Sequence, residues 1–343
     1  MDIYSIIPEH QRVLIAPLNW GLGHATRCIP IIRTLRQLGH EILIAADGGP
    51  LRLLQEEFKD QKHIEFLRFP GLDISYDKGN VSRSILWHLP SFLLLIYKEH
   101  RQLQDLIEKN HITWVISDNR FGLWTRLVPC VYITHQLMIK APRSLKWTEG
   151  LLHHLHLRFI KRYTFCWIPD YKEDNGLSGD LSHFYPLPAN ARFIGPLSRF
   201  AGLYPFNIKE SELFHTVAVI SGPEPQRTDF EDKVVRELLK KGTKALVVCG
   251  RPDTGSKRVI QNVTLVPHLS SRLLMTHLIH ARRVICRCGY SSVMDLHILH
   301  KRAEITPTKG QTEQEYLYDF LIRKNLHDRW LEDGYIGSTS KAT

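Results

Sequence analysis

The chain has 343 residues, of which 43% are hydrophobic and 23% charged. That length exceeds what one hydrophobic core ordinarily supports, so two domains are expected, and the balanced composition excludes a disordered or fibrous chain. The formal net charge of +10 calls for an anionic partner: a nucleotide diphosphate, an anionic membrane surface or a nucleic acid. No helix-turn-helix, RNA-recognition or zinc-finger signature is present, so nucleic acid ranks last and is left out as a partner. The six cysteines, Cys28, Cys130, Cys166, Cys249, Cys286 and Cys288, form no C-x-x-C pair. Buried, reduced thiols are expected rather than disulfides or zinc. The first ten residues lack the basic and apolar regions of a signal peptide, and the expected location is the cytoplasm.

Short apolar runs alternate with helical patterns along the chain. Residues 13–17 read as a buried strand, then comes a Gly-rich turn, then a helix with Ile29, Ile32, Leu35 and Leu38 at helical spacing that stops at Gly39. Residues 41–45, 63–67, 112–117 and 128–134 follow as strands. After an irregular stretch at about 195–205 the pattern restarts with a strand at 216–220 and a helix carrying Val234, Val235, Leu238 and Leu239. Further strands are predicted at 245–249, 263–266 and 284–286. The chain therefore reads as α/β, with two Rossmann-like, doubly wound domains. The boundaries fall at 1–199 and 211–330, with a linker at 200–210 and a tail at 331–343. Such sheets bind ligands at the carboxyl ends of their strands, which directs attention to four strand–turn–helix junctions.

The first junction is residues 19–27, Asn-Trp-Gly-Leu-Gly-His-Ala-Thr-Arg. Gly21 and Gly23 let the backbone turn tightly before a helix start whose free N–H groups suit an anion. Thr26 stands where a dinucleotide fingerprint needs its third glycine, which makes nicotinamide or flavin binding a minor alternative. His24, held at that helix start beside a cleft, is a candidate general base. In the second junction, residues 116–122, Asp118 leaves its strand on the same edge and is placed to orient the imidazole of His24. Capping the next helix is its alternative role. Asn119 and Arg120 follow it on the same side, and His135 and Gln136 end another strand, offering groups to a polar acceptor.

The third junction, residues 221–227, combines Ser221, Gly222 and a helix start with Arg227 as a countercharge, a candidate diphosphate cradle. The fourth follows Arg287. Gly289 makes the turn, and Tyr290, Ser291 and Ser292 open a helix suited to phosphate. Asp295 lies about one turn in, within reach of ribose hydroxyls. Gln311, Gln314 and Glu315 supply polar groups at another helix start. Ordinary helix capping is the competing reading of these last two segments.

Together these junctions resemble glycosyltransferase family 28, which includes the cell-wall N-acetylglucosaminyltransferase that completes lipid II and the plastid galactolipid synthases. The likeness runs from Asn19 to Tyr316 and is strongest to uncharacterised bacterial relatives of that group. Its most specific part is residues 287–296 with 310–316, similar to the family's R-x-G-x-x-T-x-x-E and Q-Q-x-x-N-A segments. The resemblance implies the GT-B fold, two Rossmann-like domains facing each other across a cleft. It implies an inverting, metal-independent transfer of a sugar from a nucleotide-sugar, a UDP-sugar, to an acceptor hydroxyl, with no cofactor. In this likeness Asp295 replaces the glutamate that binds the donor ribose, and Gln314 and Glu315 fall where two glutamines meet the donor sugar. His24 matches the histidine of the G-G-T-G-G-H turn, residues 221–227 match the G-G-S-x-G-A-R loop, and His135 and Gln136 resemble an H-E-Q segment. The nucleobase would be read around Pro267, His268 and Leu269, and Arg227 with Arg287 would stabilise the leaving diphosphate. Glu315, Pro225, Trp20 and Leu22 depart from the family pattern. No Asp-x-Asp metal motif is present. A nucleotide-sugar epimerase or hydrolase on the same fold, and a non-catalytic nucleotide-sugar-binding protein, are the rival readings.

Two stretches bear on the acceptor. Residues 84–97 form an apolar run with aromatic residues, flanked by Arg83, Lys98 and Arg101, and residues 151–163 are amphipathic and basic. His88 and Pro90 interrupt the first, which falls short of the roughly 20 apolar residues of a membrane span. The expectation is reversible docking on an anionic membrane surface and a lipid-linked acceptor. Core helices or a contact between two copies are the alternative.

Overall fold

The computed structural model describes residues 3–71, 89–252 and 255–330. Arg83, the beginning of the apolar run at 84–97 and the tail at 331–343 lie outside the described residues. The first half of the chain supplies strands β1 (Arg12–Pro17), β2 (Glu41–Ala46), β3 (Ile64–Arg68), β4 (Trp114–Asp118), β5 (Cys130–Ile133), β6 (Phe165–Ile168) and β7 (Ala191–Phe193). They form one seven-stranded sheet in the order β3-β2-β1-β4-β5-β6-β7, and each pairing is parallel. The central strands are buried almost throughout, as strands covered by helices on both faces must be. Helices α1 (Leu22–Gln37), α2 (Gly48–Phe58), α3 (Leu89–Asn110), α4 (Glu149–Ile160) and the single turn α5 (Asp180–His183) connect them.

The second half repeats the plan. Strands β8 (Thr216–Val219), β9 (Ala245–Val248), β10 (Arg258–Ile260), β11 (Val263–Val266), β12 (Arg283–Arg287), β13 (Glu304–Thr306) and β14 (Asp328–Arg329) alternate with α6 (Gln226–Lys241), α7 (Ser271–His280), α8 (Tyr290–Ile298) and α9 (Thr312–Arg323). The sheet order is β10-β11-β9-β8-β12-β13-β14, with β10 antiparallel to β11 and the other pairings parallel. In each sheet the strand order reverses beside the first strand, between β1 and β4 and between β8 and β12. Crevices for ligands open at such points. Helices α1, α6 and α8 begin there.

The two halves lean on each other. Helix α1, buried along one continuous stretch from Ala25 to Ile32, lies against α8. The connection after β7 is also fixed: Leu197 and Phe200 are buried, and the Leu197 N–H donates to Met294 Sδ at 3.2 Å. Backbone order therefore continues into the expected linker, whose residue Phe206 donates its N–H to Thr276 Oγ1 at 2.8 Å. Of the strands that periodicity passed over, β7, β10, β13 and β14 have two or three residues each, too few for an apolar pattern to stand out, and β6 has four. All six cysteines are free and buried.

Candidate active site

Parallel pairing of β1 with β4 sets Pro17 opposite Asp118, so the first turn and Asp118 leave the sheet on one edge. The turn runs through Gly21 at φ +84°, a left-handed conformation that a side chain would strain. Gly23 then passes so close to the other domain that a Cβ there would lie 3.0 Å from Ser291 Oγ. That hydroxyl donates to the Gly23 carbonyl at 2.8 Å. His24 sits in the first turn of α1, with Nδ1 3.3 Å from Asp118 Oδ1. The expected pair is thus brought together.

A residue the sequence reading left aside stands between them. Arg27, one helical turn on and 2% exposed, donates from Nε to Asp118 Oδ2 at 2.6 Å and from Nη2 to Asp118 Oδ1. Nη2 also lies 2.8 Å from His24 Nδ1, and Nη1 lies 3.1 Å from His135 Nδ1. The signal was available: an arginine three residues after His24, inside a helix stretch too apolar to hold a charge without a partner. Burial alone would raise the Asp118 carboxyl, but Arg27 and His24 together bring it down to about 2. Burial, and then the charge of Arg27, push His24 below its ordinary value, with Asp118 opposing.

His135 and Gln136, just past β5, reach across to the second domain. The His135 ring stacks on Tyr290 with centroids 4.2 Å apart, and its Nε2 lies 2.8 Å from Glu313 Oε1. Gln136 Nε2 donates to Glu313 Oε2. Burial opposes the charge of Glu313, yet His135, Arg27 and His24 hold its carboxyl below the usual glutamate range. The sequence reading named Gln314 and Glu315 instead. In the structure both side chains bond within their own helix start. Gln314 Oε1 accepts from the Thr308 N–H at 2.9 Å and its Nε2 donates to Gln311 Oε1 at 2.5 Å. Glu315 Oε1 accepts from the Gly310 N–H at 2.8 Å. These three side chains close their own turn.

Asp295 has protein partners as well. It faces the connection between the domains, where Oδ1 accepts from Ser198 Oγ at 2.7 Å and Oδ2 from Arg199 Nε at 3.1 Å. The two arginines expected on the diphosphate are braced by protein. Arg227 donates to Glu224 and to the Gly250 carbonyl at 3.0 Å. Arg287 donates to the carbonyls of Pro307 at 2.6 Å and Gln226 at 3.2 Å, and it covers the Phe230 ring. Near the first sheet, Arg120 is buried on Glu99 at 2.7 Å and on the Pro70 carbonyl at 3.0 Å. It ties α3 to the chain just past β3. Asn119, at φ +59°, accepts from Tyr132 Oη at 2.8 Å.

The helix starts remain as expected in place. Ser221 and Gly222 lead into α6, and Gly289 is the N-cap of α8. Tyr290 is buried with its hydroxyl on the Pro169 carbonyl at 2.8 Å, and Ser292 is half-buried in the same turn. A pocket of about 580 Å³ opens at the seam, lined by Arg52, Gln55 and Glu56 of α2 and by Pro252, Pro267, His268 and Leu269 of the second domain. Burial, then the charge of Arg199, bring His268 down to about 4. The imidazole there is neutral at ordinary pH. Among the described residues no group of three His, Cys, Asp or Glu is placed to hold a metal ion.

No protein-family model matches the chain, and no curated protein does. Its fold has close company among solved structures. The glycosyltransferase of kitacinnamycin superimposes with a TM-score of 0.62 at 13% identity, over 95% of this chain and 88% of that one. The glycosyltransferase SnogD from Streptomyces nogalater gives 0.61 at 14%, over 96% and 89%. UGT2 of Phytolacca americana, complexed with UDP-2fluoro-glucose and pterostilbene, gives 0.57 at 12%, over 94% and 85%. Two facing parallel-sheet domains with these neighbours make the fold GT-B.

Proposed function

We propose that the chain is an inverting glycosyltransferase of the family 28 kind, moving a sugar from a UDP-sugar to an acceptor hydroxyl without a metal ion or cofactor. The observation that carries this reading is one cluster at the domain seam: His24 and Asp118 from one half, Glu313 from the other. A base, its counter-charge and a hydroxyl-binding carboxylate are the groups that sugar transfer needs on opposite sides of one bond. In this reading the acceptor hydroxyl gives its proton to His24 as its oxygen attacks the anomeric carbon. The nucleotide diphosphate leaves from the opposite face, and Asp118 stabilises the imidazolium that forms. The free N–H groups and dipoles at the starts of α6 and α8 meet the leaving charge. Glu313 accepts hydrogen bonds from sugar hydroxyls. The seam pocket beside His268 and Leu269 takes the base and ribose, and the UDP-2fluoro-glucose bound in the Phytolacca enzyme supports uracil as the base.

Thermal shift against a panel of nucleotide-sugars tests this first, because a ligand at 100 times its dissociation constant adds roughly 2.7 kcal/mol. A rise in Tm with a UDP-sugar, followed by UDP release once an acceptor is added and unaffected by chelator, is the expected result. Silence across the whole panel would refute the reading. Donor consumption with no acceptor present would point instead to a hydrolase or epimerase.

For the acceptor we propose a lipid-linked hydroxyl presented at an anionic membrane surface. No described helix is long and apolar enough to cross a membrane. However, Trp147, Leu151 and Leu155, spaced four apart along the entry and first turns of α4, are 77%, 59% and 46% exposed. Exposed Arg143, Lys146, Arg158, Lys161 and Arg162 accompany them. On α3, Leu93, Leu94 and Tyr97 are also exposed, next to Lys98 and Arg101. Apolar anchors with basic neighbours suit the interface of an anionic bilayer. Co-sedimentation with anionic but not neutral liposomes, weakened by salt, is the expected outcome. A protein left in the supernatant by both would make a freely diffusing acceptor the better reading.

A further inference from the structure

Arg27 takes no step in the reaction described above, yet its guanidinium is the hub of the seam. Its nitrogens face Asp118 at 2.6 Å, His24 Nδ1 at 2.8 Å and His135 Nδ1 at 3.1 Å. A guanidinium carries five N–H donors and no lone pair that can accept. Each imidazole nitrogen that it meets at hydrogen-bond distance is therefore the acceptor. For His135 the assignment closes on itself: Nδ1 accepts from Arg27, and Nε2–H donates to Glu313 Oε1 at 2.8 Å. For His24 the same rule puts the single proton of the neutral ring on Nε2. The competing arrangement has Nδ1–H donating to Asp118 Oδ1 across a longer 3.3 Å, and it sets two N–H groups against each other.

We infer that Arg27 is a positioning residue that fixes both His24 and His135 as Nε2–H tautomers in the ligand-free seam. The consequence for catalysis rests on the proposed transferase reading. A base working at His24 Nε2 needs its lone pair there, and in the resting network that atom carries hydrogen. His24 becomes a base when Arg27 Nη2 gives up Nδ1, the proton on Nε2 leaves to water, and a proton taken from water on Nδ1 turns to Asp118. The ring is neutral before and after this exchange of one proton lost for one gained, and Asp118 keeps its second oxygen on Arg27 Nε. Glu313 is the member of the network carried by the other domain, so movement of one domain against the other changes what His135, and through it Arg27, can hold. The charged and titratable groups facing His24 are Arg27, Asp118, His135 and Glu313, with the Cys28 thiol against Asp118. Burial and Arg27 keep the ring neutral, as a fixed neutral tautomer requires.

The test needs no turnover, so it stands apart from the transferase reading. Two-bond nitrogen–proton NMR on the full chain labelled with ¹⁵N-histidine reports which ring nitrogen bears hydrogen, and loss of one signal set in His24→Gln assigns His24. The ligand-free wild type should give His24 and His135 protonated at Nε2. A wild-type His24 protonated at Nδ1 overturns the inference outright. Arg27→Lys keeps a charge for Asp118 but loses the fork, and should relax His24 toward the Nδ1–H form. Arg27→Gln should in addition raise the proton affinity of His24, because the charge of Arg27 lowers it. If Arg27→Gln does not fold, the wild-type and Arg27→Lys spectra still decide. Unchanged tautomers in a folded Arg27→Lys would assign Arg27 to the ion pair alone.

Discussion

The first strand–turn–helix junction of each domain lies where its sheet reverses order, and each carries an arginine at or near its helix start. The two arginines end up in opposite uses. Arg27 finds its carboxylate on a neighbouring strand, Asp118 at the end of β4, so its side chain is drawn inward across the sheet edge and collects two imidazoles on the way. Arg227 finds its carboxylate three residues back, on Glu224 of its own loop, so it folds onto that loop and the Gly250 carbonyl. One arginine therefore links distant parts of the chain, while the other stiffens a turn. The position of the nearest carboxylate decides between a network and a brace.

The comparison breaks most readily at His24. His24→Ala should lower turnover by about 100- to 10,000-fold, the usual range for a lost general base. Donor affinity measured by calorimetry should stay close to that of the wild type, since the base acts on the acceptor. Near-normal turnover would remove the N-terminal junction from the chemistry and leave the two junctions alike. Asp295→Ala should act on stability instead. Its carboxylate holds Ser198 and Arg199 in the connection between domains, and stripping one partner from a buried ion pair typically costs about 3–5 kcal/mol. A large fall in Tm with unchanged donor affinity in the folded fraction is expected. Weakened donor binding at an unchanged Tm would return Asp295 to the ribose.

Much of the fold was legible because the two strand series are apolar runs broken by glycine turns, and the repeat itself implied two similar domains; that they face each other was what the family resemblance implied. His24 and Asp118 were legible for a related reason. A residue at a strand end or in the first turn of a helix has its direction fixed by backbone geometry alone. The less legible contacts lie one step further out. Glu313, Gln314 and Glu315 occupy the same helix start, and only the rotational phase of α9 against the other domain determines that Glu313 reaches His135. A sequence carries no register for that phase. Asp295 is a similar case: the motif placed it on α8, and its partners at Ser198 and Arg199 come from a connection read as irregular. Arg27 was visible as a charge in an apolar helix stretch, while the carboxylate that neutralises it, Asp118, lies 91 residues away, beyond any local pattern.

Glu313 sharpens the contrast on the donor side. Glu313→Gln removes a carboxylate that would accept from sugar hydroxyls, and a charge-assisted hydrogen bond is worth about 1.5–3 kcal/mol, roughly ten- to a hundredfold in kcat/KM. Glu315→Gln, which only closes its own turn, should change kcat/KM by less than about threefold, in line with exposed helix-end contacts. Equal effects from both would mean that the phase of α9 does not select the residue. Acid sensitivity gives a smaller effect of the same network. The folded Asp118 carboxyl lies at about 2, below its ordinary value, so its contribution to stability is full above roughly pH 4 and fades as pH falls toward 2. The Tm advantage of the wild type over Asp118→Asn should therefore be constant near neutrality and close on acidification through that window. An advantage that grows with acid would place the proton elsewhere.

The smallest effect should belong to Arg227, and it tests the brace directly. If the guanidinium met the diphosphate, Arg227→Ala would cost the donor a charge-assisted contact and lower affinity ten- to a hundredfold. The geometry leads to a different expectation, because Nε and Nη2 are taken by Glu224 and Nη1 by the Gly250 carbonyl. The Glu224 carboxylate is half exposed, and ion pairs in such settings contribute about 0–1 kcal/mol. Arg227→Ala should then weaken donor binding by no more than about fivefold. Glu224→Gln, which frees the same arginine, should tighten binding if the guanidinium can swing to the phosphate, and should leave it unchanged if the Gly250 carbonyl alone holds it. Calorimetric titration of both variants with the same nucleotide-sugar separates the cases. A hundredfold loss in Arg227→Ala would mean that the two first junctions both hand their arginines to the cleft, and that the brace gives way when the donor arrives.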